Sequence, residues 1–164
     1  MKIGIVSDSH GKADRLRRAL HLLRERGAEV LVHCGDVGSA DCVAALAETR
    51  LPAYAVAGNM DRHVRRLGDE AVRCGVHFSD DAAVVDIGGG RLLGVVHGND
   101  EAALSRLLAD ERVVYLCRGH THRRSDDRAG GTRIINPGAL HHARPATVAL
   151  LDTESDTLES IEVR

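Results

Sequence analysis

Seven side chains in this sequence have the types and placement for metal chemistry: Asp8, His10, Asp36, Asn59, His97, His120 and His122. Each stands where an apolar run gives way to a glycine-containing segment, in "VSDSHG", "HCGD", "AGNMD", "VVHGN" and "CRGHTH". Taken singly, Asp8 is also a turn former, Asp36 a helix cap, Asn59 a turn residue after glycine, and His10 or His97 a partner for a loop carbonyl. His120 and His122 are harder to read that way, because two imidazoles one residue apart face the same crevice when the chain is extended. As a set these residues offer carboxylate oxygens, an amide oxygen and imidazole nitrogens. That is more than one tetrahedral ion uses, and it suits two divalent ions sharing an aspartate. Such a pair lowers the pKa of a water and stabilises the oxygens of an attacked phosphorus, the chemistry of a two-metal hydrolase.

Strand exits gather around one crevice in α/β folds, so the question is which elements end at these residues. "KIGIV" at 2–6 reads as a buried strand, and residues 14–26 as a helix with Leu16, Ala19, Leu20 and Leu23 on one face, ended by Gly27. "EVLVHC" at 29–34 resumes the strand pattern, Ser39 caps a second helix through about Glu48, and "AYAVAG" supplies a third strand. An Arg-rich loop with Arg62, Arg65 and Arg66 follows. Then "VRCGVHF", "AAVVDIGGGRLLGVVHG" and "VVYLCRG" give short apolar runs, with Gly88, Gly89 and Gly90 as a hairpin turn. A helix from about Asp100 to Ala109 turns Leu104, Leu107 and Leu108 inward. The last third, "TRIINPG", "ATVALLD" and "LESIEV", is strand-rich, and "RRSDDRAGGTR" reads as an exposed hairpin or loop. Two packed sheets between helical layers account for this pattern better than one parallel sheet.

A length of 164 residues suits a single domain over 1–164. Hydrophobic residues make up 43% and aromatics 2%, so the core is aliphatic and no platform of rings for stacking bases can be assembled. The formal charge of −2 gives no broad field for a polyphosphate, which disfavours nucleic acid as a partner; Arg62, Arg65 and Arg66 are the local argument for it. Cys34, Cys42, Cys74 and Cys117 are scattered, as free thiols of a reducing compartment are, with Cys34 and Cys117 in apolar runs. No apolar run is long enough to span a membrane, and the N-terminus reaches Asp8 without a signal-peptide core. The expectation is a cytoplasmic protein without a membrane partner, its oligomeric state left open, a homodimer included.

The segments "SDSHG", "HCGDVG", "GNMD", "VHGN", "GHTH" and "INPG", in that order over almost the whole chain, resemble the calcineurin-like metallophosphoesterase superfamily, and within it the small bacterial and archaeal phosphodiesterases of the YfcE/MJ0936 type. The resemblance implies a metallophosphoesterase fold, a four-layer α/β/β/α sandwich with two mixed β-sheets. It implies one metal held by Asp8, His10, Asp36 and His122 and a second by Asp36, Asn59, His97 and His120, with Asp36 as the bridge. Manganese is the expected metal, with nickel, cobalt, iron and zinc served by the same donors. It places Asn136 and Gly138 of "INPG" near the phosphate, beside Asn59 and Asn99, and gives catalytic roles to Asp36, Asn59, Asp61 and Asn99. Two departures stand out. Met60 follows Asn59 where many members carry a histidine, and Asn99 replaces a second histidine after "VHG". Neither is a good acid, so departure of the leaving group rests on Asp61, a water held by Asn99 or a metal-bound water, and aryl esters should react faster than alkyl ones. The expected function is hydrolysis of small phosphodiesters by a hydroxide held between two divalent metals. A nuclease, or a metal-binding scaffold related to the retromer subunit VPS29, is the alternative.

Overall fold

The computed structural model describes residues 1–164. In chain order the elements are β1 (Lys2–Val6), α1 (Ala13–Glu25), β2 (Val30–His33), α2 (Ala40–Glu48), β3 (Ala53–Val56), α3 (Val64–Cys74), β4 (His77–Ser79), β5 (Ala82–Asp86), β6 (Leu92–Val96), α4 (Glu101–Leu108), β7 (Val113–Cys117), β8 (Ser125–Ala129), β9 (Thr132–Asn136), β10 (Ala146–Asp152) and β11 (Thr157–Val163). They form a six-stranded sheet in the order β11-β10-β1-β2-β3-β4 and a five-stranded sheet in the order β5-β6-β7-β9-β8. In the first sheet β1 to β4 are parallel neighbours joined by helical crossovers, and β10 and β11 extend it antiparallel. In the second, β6, β7 and β9 are parallel, with β5 and β8 antiparallel at the edges.

Alternation along the strands divides the core into layers. Ile3, Ile5, Val30, Val32 and Val56 meet Leu93, Val95, Tyr115, Cys117 and Ile135 between the two sheets. Val6, Leu31, Ala53 and Ala55 point the other way, onto Leu16, Leu20 and Leu23 of α1, Val43 and Leu46 of α2, and Leu67 and Ala71 of α3. Ala103 and Leu107 of α4 cover Val96 and Leu116 on the outer face of the second sheet. Helices, sheet, sheet and helix make the four layers expected. Strands covered on both faces read as continuous apolar runs, and burying each Leu or Ile stabilises the fold by about 1.5–3 kcal/mol.

The helix starts follow their caps. Ser39 Oγ accepts a hydrogen bond from the Cys42 N–H at 3.3 Å, and Asp100 Oδ1 accepts from Ala102 and Ala103 at 2.9 and 3.2 Å. All four cysteines are free, and no helix is long and apolar enough to cross a membrane.

One stretch differs from the sequence expectation. The segment read as an Arg-rich loop followed by a strand run "VRCGVHF" contains helix α3, which carries Arg65 and Arg66 on its surface and ends at Gly75 with φ 75°. Val72 of that run is 84% exposed on the helix, and only His77–Ser79 is strand. The reason is the thin apolar stripe: Leu67 and Ala71 alone are buried, four residues apart, amid charged neighbours.

Candidate metal centre

The exits of β1, β2 and β3 carry Asp8 and His10, Asp36 and Asn59, while β6 and β7 lead to His97, His120 and His122. Five of these residues hold left-handed backbone: Asp8 (φ 54°), His10 (44°), Asp36 (53°), His120 (68°) and His122 (57°). Non-glycine residues rarely adopt this region; each costs about 1–3 kcal/mol and persists only where its surroundings enforce it. Cross-ties between the exits do so: Asp8 N–H donates to Gly35 O (3.1 Å), His10 N–H to Asp36 O (2.9 Å), and His120 N–H to Asp8 Oδ2 (3.3 Å). Two glycines permit the convergence by lacking side chains. A Cβ on Gly58 would collide with Asp36 Oδ1 and the Asp36 backbone nitrogen, and one on Gly119 would strike Ser7 Oγ and lie 2.6 Å from Asp8 Oδ2.

Converging lone pairs define the centre. Asp8 Oδ2 is held by Ser7 Oγ at 2.6 Å, but Asp8 Oδ1 is buried without a hydrogen-bond partner, 3.1 Å from His122 Nε2 and 3.9 Å from His10 Nε2. Asp36 Oδ1 accepts from the Met60 N–H at 2.8 Å, which leaves Oδ2 facing His10 Nε2 at 3.6 Å and His97 Nε2 at 3.4 Å. His97 Nδ1 donates to the Cys34 carbonyl at 2.8 Å, so its Nε2 faces inward, 3.0 Å from Asn59 Oδ1, which lies 3.0 Å from His120 Nδ1 as well. The ligand atoms form two groups, Asp8/His10/His122 and Asp8/Asp36/His97, and within each the atoms all lie within 4.8 Å of one another. Acceptors crowd this closely only where protons or cations lie between them. The chemistry of the donors and the orphaned Asp8 oxygen both fit divalent metal.

The electrostatics of the metal-free site agree. Burial pushes the Asp36 carboxyl up, but the His97 hydrogen bond, the Met60 N–H and the charges of His97 and His10 outweigh it, and the net shift is downward. Burial likewise pulls His97 down, and Asp36, the Cys34 carbonyl and Asp8 overcome it to leave His97 raised.

Around this ring lies a second set of polar residues, several of whose groups are already committed. Asp61 is buried, its Oδ2 accepting from Val37 and Gly58 at 3.0 and 2.9 Å and its Oδ1 from Gly38 at 2.7 Å, so it ties the β2 exit to the β3 exit. Asn136 is 2% exposed; its amide donates to Gly119 O at 2.9 Å and Thr121 Oγ1 at 3.0 Å, and its oxygen accepts from the Gly138 N–H at 2.9 Å. It braces the loop that carries His120 and His122. Ser9 Oγ donates to Val37 O at 3.0 Å and accepts from His33 Nε2 at 2.8 Å, and complete burial pulls His33 down to about 3, so its ring is neutral. Asn99 is exposed and lines a cavity of about 120 Å³ with Asn59 and His97. Met60 is 51% exposed beside it in sequence to Asn59.

Two residues absent from the sequence reading also stand here. His141 and His142, in the loop between β9 and β10, place their rings 5.7 and 6.1 Å from that of His10. The His141 N–H donates to Asp8 O at 3.0 Å, and burial, together with electrostatic repulsion from His142, Lys12, His10 and Arg15, pulls His141 down. The doublet follows "INPG" directly, which is the one local signal for it.

Residues 1–156 match the family model of the calcineurin-like phosphoesterase superfamily domain. The phosphodiesterase MJ0936 of Methanocaldococcus jannaschii is 26% identical over 164 residues, covering 98% of each chain. A solved structure described as a novel archaeal phosphodiesterase superposes with a TM-score of 0.87 at 26% identity, covering 99% of both chains. The phosphoesterase YfcE from E. coli shares the fold, with a TM-score of 0.68 at 23% identity over 100% of both.

Proposed function

The chain belongs to the calcineurin-like phosphoesterase superfamily and is a hydrolase of phosphoric esters, and from that premise we propose that its substrates are small phosphodiesters and that two divalent cations serve it. The observation that carries this reading is the inward-facing, partnerless Asp8 Oδ1 together with Asp36 Oδ2, which reaches histidines on both sides. Asp8, His10, Asp36 and His122 would hold one cation, and Asp36, Asn59, His97 and His120 the other, Asp36 belonging to both sets. Bound there, the ions would lower the pKa of a water and neutralise phosphoryl oxygens.

The chain's own residues do the positioning. The Cys34 carbonyl fixes the His97 tautomer, and the Asp61 and Asn136 ties hold the three loops in register, the kind of outer support that ligand rings require. Asn99, on the open side near Asn59, is placed to hydrogen-bond a phosphoryl oxygen or a water. Three of the roughly four acceptor sites of Asp61 already take N–H groups, which leaves one on Oδ1 for proton transfer, and Met60 carries no proton. Cleavage therefore favours leaving groups that depart as stable anions. The gene product's compartment is expected to be the cytoplasm, and manganese the resident ion.

The test is a substrate series on protein stripped and reloaded separately with Mn, Ni, Co, Fe or Zn. Bis(4-nitrophenyl) phosphate should be cleaved faster than 4-nitrophenyl phosphate, with rates falling steeply as the leaving-group pKa rises, and metal analysis should return two ions per chain. One ion at saturation removes the paired-ion reading; full loading with no diester cleaved removes the substrate class and moves the interaction-scaffold alternative ahead.

A further inference from the structure

Beside the candidate metal centre, the segment that follows His122 and the loop at 142–145 border an open cavity of about 560 Å³, whose wall includes His122 itself. Its size falls within the range of small-molecule sites, about 300–1,000 Å³. Arg123, Arg124 and Arg144 line it, against the single carboxylate of Glu162. These charges are unspent. Several arginines elsewhere are matched, as Arg106 is by Asp81 at 2.8 Å, Arg112 by Asp110 at 2.7 Å and Arg133 by Asp126 at 2.7 Å; what sets this group apart is that three without a carboxylate line one concave wall. Arg124 has only a 3.5 Å contact from Nη1 to Ser160 Oγ, and neither Arg123 nor Arg144 meets a carboxylate.

Like charges gathered in one concave wall repel until an anion joins them. The guanidinium fork matches the oxygens of a phosphate in pairs. No Phe, Tyr or Trp lines the cavity, so charge is the main feature by which it selects a ligand. The loop that carries Arg144 is also fixed in advance: Leu140 N–H donates to Ser7 O at 3.1 Å, His141 N–H to Asp8 O at 3.0 Å, and Arg15 Nη1 to Leu140 O at 2.8 Å. The loop that bears Arg144 therefore starts from the same β1 exit that presents Asp8, and Arg144 itself is exposed.

We infer that this cavity is a subsite for a second phosphate of the substrate, so that the preferred substrates are phosphodiesters that also carry a terminal phosphate, whatever their base. The inference rests on the phosphodiesterase reading for the scissile group. It is tested on manganese-loaded full-length protein with 4-nitrophenyl thymidine 5′-phosphate, with and without a 3′-phosphate. The added phosphate should lower KM by about tenfold, an advantage that shrinks in high salt as exposed charges are screened. In the Arg124→Ala/Arg144→Ala double variant the KM ratio of the two esters should fall to about one, and in Arg144→Lys it should fall only in part. Equal KM values in the wild type, or a ratio that persists in a folded double variant, would overturn the subsite. Failure to turn over either ester would instead overturn the phosphodiesterase reading. Calorimetry then decides the subsite on its own: thymidine 3′,5′-bisphosphate binding more tightly than thymidine 5′-phosphate, with the gain lost in the double variant, supports it, and equal affinities defeat it.

Discussion

Two polar clusters in this molecule hold similar residues in opposite states. Around Arg133, toward the strand ends where β1 begins, every charge meets its complement. Arg133 Nε and Nη2 fork onto Asp126 at 2.7 and 2.8 Å, Nη1 reaches Asp156 Oδ1 at 2.7 Å, and Arg128 and Tyr115 complete Asp156 at 2.8 and 2.9 Å. At the other end of the strands, Asp8, Asp36, His10, His97 and His122 turn ligand atoms toward one another, one carboxylate oxygen is orphaned, and the backbones of Asp8, His10, Asp36, His120 and His122 are held left-handed. The first arrangement is what stabilises a fold; the second spends stability to keep ligand atoms waiting. Polar content alone does not tell them apart. Satisfaction does.

The contrast breaks most visibly at Asp36. Asp36→Asn keeps the Oδ1 acceptor for Met60 but removes the shared charge, so both ions should bind weakly and diester turnover should fall by more than about 10³-fold, with the metal-free thermal midpoint little changed. Metal titration and kinetics on one preparation check this, and normal loading and turnover would remove the bridge.

Asp61→Asn sharpens the boundary between the ring and its support. Asn has one oxygen for three N–H donors and turns an NH₂ toward them, so the β2 and β3 exits should loosen and metal affinity drop about 10–100-fold. Were Asp61 instead a proton donor, the variant would bind metal normally and show a steeper dependence on leaving-group pKa. Calorimetric metal binding beside a substituted-aryl series separates the two.

Arg133→Met gives the smallest effect and one confined to stability. Losing the bidentate pair should cost about 2 kcal/mol, discounted because Asp126 and Asp156 are 44% and 46% exposed, with metal binding and kcat unchanged. The sign with pH follows from the same pair. Hydrogen bonding to Arg133 holds both aspartates below their usual range, so their contribution is complete above about pH 3.9 and is lost as pH falls through the depressed values. Denaturant melts from pH 6 to pH 2 should show wild type and variant converging at the acid end; a constant gap would mean that Arg133 acts through packing.

Much of the fold was legible in the chain because its signals are local. The continuous apolar runs of β1, β2 and β3, the Leu16–Leu20–Leu23 stripe, the Ser39 and Asp100 caps and the Gly88–Gly90 turn each state their element within a few residues. Helix α3 was not legible, since Leu67 and Ala71 make too thin a stripe among charges to announce a period. The seven polar residues at the strand exits could be picked out by type and position. Their division from their neighbours could not: nothing local says that Asp61 and Asn136 are spent on backbone groups while Asp8 keeps an oxygen free, or that His141, His142 and Arg144 come round to the same crevice. What the sequence determined by itself was which side chains leave the ends of buried strands, because burial and turn chemistry are written in neighbouring residues. Which of them face one another was decided only when two sheets packed and brought the exits of β1, β2, β3, β6 and β7 together, since a lone pair is satisfied or orphaned by atoms tens of residues away.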